Sequence, residues 1–135
     1  MTSPDPADRE GSSEFIQAQR ELTEVFGFKC FNDALRSWIA TVAIVEVEFV
    51  GEWEDYTHEL MAREYLAQIR LRASGEWEKR LRGKVEPWDE RFTSATTEEA
   101  EPHLELQDGI GGWWWYRTPR RWRRPTANLL RKEPR

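Results

Sequence analysis

WEDYTHELMAREYLAQIRLRA, residues 53–73, is the stretch of sequence that decides the fold. Neither glycine nor proline interrupts it, and most of its residues favour helices. Its apolar residues share one stripe of a helix, which predicts one buried side: Ala62, Leu66, Ile69 and Ala73. Glu59 and Arg63 stand four residues apart, so we also expect an ion pair on the surface of this helix.

A first helix is predicted near the amino terminus. Residues 1–12 indicate a disordered leader, because they contain little that could be buried. Ser13 is a suitable N-cap, and Gly27 is a suitable stop after Phe26. The apolar face of this helix follows a spacing of three and four residues: Phe15, Ala18, Leu22 and Phe26.

A second helix is predicted from Asp33, with Asn32 as its cap and Gly51 as its end. Its apolar positions repeat at helical spacing: Leu35, Trp38, Ile39, Val42, Val45 and Phe49. Residues 41–50 are rich in β-branched side chains, and part of the stretch alternates as a strand does. The continuous pattern favours the helix, whereas a strand here would make the fold α+β.

A fourth helix is predicted after a break at Ser74 and Gly75. Its apolar residues again repeat at helical spacing: Trp77, Leu81, Val85, Trp88 and Phe92. Pro87 lies inside this pattern and has no N–H to donate, so we expect a kink or a restart there. Residues 93–102 are polar and predict a linker.

The end of the chain predicts a short β structure and a basic tail. Residues 103–106 and 113–117 can pair as a hairpin across a glycine-containing turn. The overall prediction is a mainly α protein, with about four helices in a bundle-like packing and a short C-terminal aromatic β-hairpin or extended clamp. Its parts are a leader at 1–12, one helical domain at 13–116 and an arginine-rich tail at 117–135.

Charge divides the chain into two regions. Up to Gly112 there are 12 Lys and Arg against 24 Asp and Glu, whereas from Trp113 onward there are eight basic residues and one acid. The net charge of −5 therefore averages an acidic body and a basic end. Either the basic end folds back over the body, or it projects toward a phosphate backbone or an acidic protein.

The redox and targeting features predict a cytoplasmic protein. Cys30 is the single cysteine, so no internal disulfide can form. The first residues lack the basic and apolar regions of a signal peptide. No apolar run approaches the roughly 20 residues that span a bilayer, so we expect no membrane contact.

Residues typical of catalysis or metal binding are scarce. Cys30 lies between two phenylalanines, as a structural thiol does, and no motif pairs it with His58 or His103. Glu54 and Asp55 share a helical face with His58, but a second such element is lacking, so a solvated acidic face is favoured. We therefore predict no catalytic residue, no metal site and no cofactor.

GGWWWYRTPRRWRR, residues 111–124, contains four of the eight tryptophans and five arginines. Arginine stacked on indole within the molecule is one interpretation. Contact with a partner is the other, because exposed Trp, Tyr and Arg are typical of binding hot spots. The candidate binding residues are Trp113, Trp114, Trp115, Tyr116, Arg117, Arg120, Arg121, Trp122, Arg123 and Arg124.

Three segments resemble a family of small, uncharacterised, Trp-containing proteins of high-GC actinobacteria. They are GEWEDYTHELMAREYL (51–66), VEPWDERFTSAT (85–96) and GWWWYRTPR (112–120), within the stretch 51–120. The resemblance implies a compact, intracellular, mostly helical protein. It carries over no activity and no catalytic residue.

The function predicted from these observations is that of a non-enzymatic interaction protein. It would bind another protein, or a second copy of itself, through an acidic helical face and the Trp/Arg segment. Immunity proteins and antitoxins against basic toxins have this physical profile, since opposite charge accelerates encounter. The alternative is nucleic-acid or phosphate binding through residues 117–135, which salt would weaken steeply.

Overall fold

The computed structural model describes residues 6–73, 75–102 and 112–125, with side chains from residue 15 onward. The elements in chain order are α1 (Pro6–Phe26), α2 (Phe31–Val47), β1 (Phe49–Val50), α3 (Trp53–Leu71), α4 (Gly75–Ser94), β2 (Thr96–Glu98), a 3₁₀ turn (Trp113–Tyr116), β3 (Arg117–Pro119) and β4 (Trp122–Arg123). The prediction of a mainly α protein with four packed helices and a short C-terminal aromatic and strand segment is confirmed. None of the helices in the described ranges could cross a membrane.

Helix α1 starts earlier than the sequence predicted. It begins at Pro6, so residues 6–12 belong to a helix and not to a disordered leader, and Ser13 is not its N-cap. A proline is well suited to the first turn, because its fixed φ is helical and its missing N–H is not needed there. The predicted end at Phe26 is confirmed. Gly27 adopts a φ of 84°, and its N–H donates to the carbonyl of Thr23 at 2.8 Å.

Helix α2 is capped differently from the prediction. The N-cap is Cys30, whose thiol is half-buried, and Asn32 lies inside the helix. Gln19 of α1 accepts from the N–H of Phe31, the first residue of α2, at 2.8 Å. Asp33 accepts from the N–H of Lys29, which precedes the N-cap, at 3.1 Å. A residue from another helix thus replaces the local cap, which sequence spacing alone does not reveal.

The helical interpretation of residues 41–50 is confirmed as far as Val47. The chain then leaves the helix, and Phe49 and Val50 form the short strand β1. The predicted helix end at Gly51 is therefore about one turn too late. Strand β1 runs parallel to β4, with Phe49 opposite Trp122 and Val50 opposite Arg123. The C-terminal segment therefore supplies the partner that this strand needs.

Helix α3 forms where the sequence predicted a helix at residues 53–73, and it ends at Leu71. Asp55 accepts a hydrogen bond from the Glu52 N–H at 2.8 Å, which stabilises the first turn. The predicted Glu59–Arg63 ion pair is wrong, because each side chain has a partner on another helix. Glu59 accepts from the Thr41 hydroxyl at 2.9 Å, and Arg63 turns inward to Asp89.

Helix α4 continues through Pro87 without a restart. The residues predicted as a linker at 93–102 are partly structured, since α4 extends to Ser94 and β2 follows at once. Thr96 is fully buried, and its hydroxyl donates to the Phe92 carbonyl at 2.8 Å. This polar sequence therefore forms a helix end and a strand, because other parts of the molecule supply hydrogen-bond partners for its polar groups.

The core lies around α3, which contacts α1, α2, α4 and the 3₁₀ turn. Each large apolar side chain removed from water there contributes about 1.5–3 kcal/mol. The largest fully enclosed side chains come from three helices and the C-terminal segment: Trp38, Trp115, Tyr56, Tyr65, Phe92, Leu60, Leu66, Ile69 and Leu81. The C-terminal segment is thus part of the core.

The predicted hairpin between residues 103–106 and 113–117 is not formed as expected. Residues 103–106 lie outside the described ranges, and Trp113–Tyr116 is a 3₁₀ turn and not a strand. Strand β3 instead pairs antiparallel with β2, with Thr96 opposite Pro119 and Glu98 opposite Arg117. A 3₁₀ turn rotates successive side chains by about 120°, so the adjacent indoles point in different directions.

Candidate functional site

The residues predicted to bind a partner form one structural unit, here called the C-terminal clamp, residues 112–124. It packs across α3 and the end of α4 through the 3₁₀ turn and β3, and across the end of α2 through β4. Its side chains divide into those with partners inside the molecule and those at the surface. The division decides which of them can contact another molecule.

Trp115 is fully enclosed and is held by a buried carboxylate. Its indole Nε1 donates to Glu64 Oε1 at 2.8 Å, and Gln68 donates to the other oxygen of Glu64 at 3.0 Å. Glu64 itself is completely buried. Burying a carboxylate costs several kcal/mol unless donors surround it, so this indole and Glu64 depend on each other.

Trp114 is buried against a second internal charge. The Arg63 guanidinium lies 4.2 Å from the centre of the Trp114 ring and pairs through two nitrogens with Asp89, at 2.8 and 2.9 Å. Asp89 also accepts from the Trp38 indole at 3.0 Å. Stacking of Arg on Trp contributes about 0.5–2 kcal/mol, so this contact anchors the clamp to α3 and α4.

Gly112 allows Trp114 to lie flat against the backbone. A Cβ added at Gly112 would stand 2.3 Å from the nearest carbon of the Trp114 ring, which is too close for two non-bonded carbon atoms. The ring is enclosed and cannot swing away. This glycine is therefore required by close approach and not by its backbone angles.

Arg117 is fully engaged within the molecule. Its guanidinium donates to the Thr96 hydroxyl at 3.0 Å, and to the carbonyls of Thr93 and Thr96 at 2.9 Å each. The Arg117 carbonyl accepts from the Tyr56 hydroxyl at 2.6 Å. Burial raises the pKa of Tyr56 well above its ordinary value, so this hydroxyl remains a donor. Arg117 closes the end of α4 against β3.

Trp122 and Arg124 pack against the aromatic rings at the start of α3. The Trp122 indole donates to the Gly51 carbonyl at 2.8 Å, and its ring lies 4.6 Å from Trp53 and 5.0 Å from Tyr56. The Arg124 guanidinium lies 5.1 Å above the Trp53 ring. Arginine thus stacks on indole within the molecule at Trp114, against Arg63, and at Trp122, against Arg124. Trp115 and Arg117 are instead held by hydrogen bonds.

Trp113 and Tyr116 reach the surface. Trp113 is 39% exposed, although one side of its ring lies 6.0 Å from Phe92. Both rings line an open cavity of about 500 Å³ together with Thr93, Glu98 and Arg117. Tyr116 is half-buried. A partner could touch these two side chains, and also the exposed part of Trp122, which is half-buried like Tyr116.

Arg120 and Arg121 are exposed, and neither side chain has a hydrogen bond or ion pair with another described residue. Arg123, by contrast, pairs with Glu48 at 3.2 Å on the surface. Within the described part of the clamp, Arg120 and Arg121 are the guanidinium groups that no internal partner occupies.

A cavity of about 310 Å³ lies beside these two arginines. It is lined by Val45, Glu46, Arg91, Ser94, Ala95, Arg120 and Arg121. Arg91 pairs with both oxygens of Glu46, at 2.9 and 2.5 Å. This hydrogen bond lowers the pKa of Glu46, so the pair is an ion pair over a wide pH range. The three arginines and one glutamate leave the cavity with a net charge of about +2, which suits an anion.

The other residues considered for chemistry are spread over the surface. Glu54, Asp55 and His58 are exposed on α3, and His103 lies outside the described residues. In the described ranges, no three acidic, histidine or cysteine side chains are grouped as metal ligands would be.

Three charged residues that hold the clamp were not predicted from the sequence: Arg63 and Glu64, which are buried, and Asp89, whose side chain is 14% exposed. One signal was present. Tyr56, Leu60 and Arg63 follow one another at spacings of four and then three residues, so they share one stripe of α3. The other two residues of this stripe are buried and apolar. A charge at such a position indicates an internal partner, but spacing does not say which one.

Searches among protein-family models, curated proteins and solved structures found no significant match to this chain. The resemblance to actinobacterial Trp-containing proteins stays a prediction. The function is therefore argued from the geometry of the clamp.

Proposed function

We propose that this chain is a non-enzymatic binding protein that recognises acidic groups of another protein through Arg120 and Arg121. The observation that supports this most directly is their isolation. Every other arginine of the clamp has an internal acceptor, ring or carboxylate, whereas these two are exposed without a described side-chain partner. They are the clamp cations free to bind from outside.

The cavity beside them supports the same conclusion. Its net positive charge would attract a carboxylate, and Glu46 orients Arg91 there without neutralising Arg120 or Arg121. Hydrogen bonds to charged groups contribute about 1.5–3 kcal/mol each once water is excluded. Docking a protein surface over the cavity would exclude that water. Opposite charge would also raise the rate of encounter.

The rest of the clamp would act as a rigid support. Arginine loses much side-chain freedom on binding, so a fixed backbone lowers the cost of recognition. The backbone of Arg120 donates to the Ala95 carbonyl at 3.1 Å, and the carbonyl of Arg121 accepts from the Phe49 N–H at 2.8 Å. Both residues are therefore tied at the main chain while their side chains remain available.

The test measures binding of a labelled polyglutamate peptide by fluorescence anisotropy, with Arg120→Gln/Arg121→Gln as the variant. We expect the variant to bind at least about tenfold more weakly, a loss of about 1.4 kcal/mol. The matched control is Arg20→Gln/Arg82→Gln, which removes two exposed charges on α1 and α4. The control should change the affinity by less than about twofold, because only the net charge differs. Equal losses in both variants would refute a specific site.

Phosphate binding is the second candidate, since the same cationic cavity suits a phosphoryl group. An oligothymidylate of the same net charge as the peptide distinguishes the two. A nucleic-acid binder would bind the oligonucleotide more tightly than the peptide, and this affinity would fall steeply between about 50 and 200 mM salt. Arg120→Gln/Arg121→Gln would abolish the complex. These three results together would identify a nucleic-acid binder and refute binding of an acidic protein.

A further inference from the structure

Helix α2 is apolar on two sides. Its inner side is buried in the core through Phe31, Ala34, Trp38, Thr41, Val42 and Val45. Its outer side, here called the outer face of α2, consists of Ala40, Ala43, Ile44 and Val47. These four residues follow the spacing of one helical stripe, and all four are exposed.

The outer face lacks the charges that a solvated helix normally carries. Between Arg36 and Glu46, nine consecutive residues contain no charged side chain. Ile44 is 47% exposed and Val47 70%. A helix that is apolar on both sides is normally covered on both sides.

The other exposed aliphatic residues do not form such a strip. Ile16 and Val25 are nine residues apart on α1, and Leu71 ends α3. Single exposed apolar residues are common on protein surfaces and need no explanation. A continuous apolar strip is different, because it marks a surface that another molecule covers.

We propose that the outer face of α2 is the interface between two copies of this chain, with the two α2 helices antiparallel across a twofold axis. A twofold axis places the same surface of each copy against itself, which requires a self-complementary stripe. Antiparallel packing sets Ala40 of one copy opposite Val47 of the other, and Ala43 opposite Ile44. Small residues thus face larger ones, so the helices can approach closely.

Charge at the two ends of the stripe supports a second copy over another partner. Arg36 stands before the stripe with 77% of its side chain exposed, and its one ion pair with a described residue is a long contact of 3.9 Å to Asp33. Glu48 follows the stripe and is 44% exposed; its Oε1 pairs with Arg123 of the same chain at 3.2 Å, and its Oε2 has no partner among the described residues. In an antiparallel pair, the Arg36 end of each copy meets the Glu48 end of the other. Opposite charges then flank the apolar centre on both sides of the axis.

This surface includes neither Arg120 nor Arg121, so the inference does not depend on the proposed function. Salt separates the two experimentally. Association through arginines weakens as ionic strength rises, because exposed charges are screened. Association through an apolar stripe persists in high salt, and sulfate strengthens it.

The experiment is sedimentation equilibrium of the full chain at about 0.5 M salt, where surface charges are screened. We expect a dimer for the native chain. We expect a dissociation constant at least about 100-fold higher for Val47→Lys, because each dimer would bury two unpaired ammonium groups. Val25→Lys is the matched control: Val25 is 71% exposed and also stands at the end of a helix. The control should leave the dimer unchanged, and circular dichroism should show that both variants are folded.

A charge swap tests the antiparallel geometry, at about 0.1 M salt so that the charges still interact. Arg36→Glu should weaken the dimer, and Arg36→Glu/Glu48→Arg/Arg123→Glu should restore it, because the triple variant keeps an ion pair between residues 48 and 123 within each copy. A native chain that is monomeric at high concentration would overturn the inference. So would a dimer that Val47→Lys leaves intact, or one that dissolves in high salt and depends on Arg120 and Arg121.

Discussion

The C-terminal clamp and the outer face of α2 contrast in what they show in the sequence and at the surface. The clamp concentrates tryptophan and arginine, the residue types of binding hot spots, yet Trp114 and Trp115 are buried and Trp122 is half-buried against the core. The outer face of α2 consists of alanine, isoleucine and valine, which predict a core, yet it is exposed. Residue type alone therefore does not tell which surface another molecule can reach.

The difference arises from what each side chain meets within its own chain. Trp115 meets the Glu64 carboxylate, and Trp114 meets the Arg63 guanidinium. Val47 meets no such partner, because the inner side of α2 already fills the core. A tryptophan can thus be buried within its own chain, while an aliphatic residue on a helix remains exposed to a partner. Substitutions of enclosed clamp residues should therefore lower the free energy of unfolding far more than substitutions of exposed ones.

Trp115→Ala should lower the free energy of unfolding by about 5 kcal/mol, the cost of a large cavity plus an orphaned carboxylate at Glu64. Urea unfolding followed by circular dichroism measures it. Trp113→Ala is the neighbouring control, and it should cost only about 2 kcal/mol, because 39% of this residue is already exposed and its loss leaves no buried carboxylate without a donor. Similar losses for the two variants would mean that the clamp is not anchored as described.

Asp89→Ala should lower the free energy of unfolding by about 3 kcal/mol, because it leaves the Arg63 guanidinium buried beside Trp114 without its acceptor. Arg63→Met/Asp89→Leu removes both charges and should recover most of that loss in thermal or urea unfolding. If the double variant were as unstable as Asp89→Ala, the ion pair would be stabilising in itself. The clamp would then depend on charge more than on packing.

Arg120→Gln/Arg121→Gln should change the free energy of unfolding by less than about 0.5 kcal/mol, because exposed side chains without internal partners contribute little. The same urea titration measures it. This is the opposite of the expectation for the enclosed clamp residues. A loss of more than about 1 kcal/mol would show that these arginines stabilise the folded protein. Such a loss would exceed the usual contribution of a surface ion pair. Their role as a binding surface would then lose its main support.

Much of the fold could be predicted from the sequence, because helices depend on local periodicity and on stop signals. The apolar spacing of residues 53–73 predicted α3, and Gly27 marked the end of α1. The start of α2 could not be predicted in this way, since the N–H of its first residue, Phe31, is satisfied by Gln19 of α1 and not by Asn32. Helix ends that use partners from another element leave no local signature.

The candidate site was less predictable than the fold. The ten candidate residues were found as a group from composition, and they do form one unit at the end of the chain. In the predicted hairpin, Trp114 and Trp115 would point to opposite faces of a strand, whereas the 3₁₀ turn buries both and leaves Trp113 partly exposed. A four-residue aromatic run is too short for periodicity to distinguish these two conformations.

The sequence by itself determined that the chain makes helices, where most of them lie, and that its charge is divided between an acidic body and a basic end. These properties follow from local propensity and from counting, which require no knowledge of neighbours. The tertiary structure decided which of the aromatic and charged residues are enclosed, because burial of Trp115 or Arg63 depends on acceptors that are distant along the chain. It also decided that the outer face of α2 is exposed, since the core has room for only one of that helix's two apolar sides.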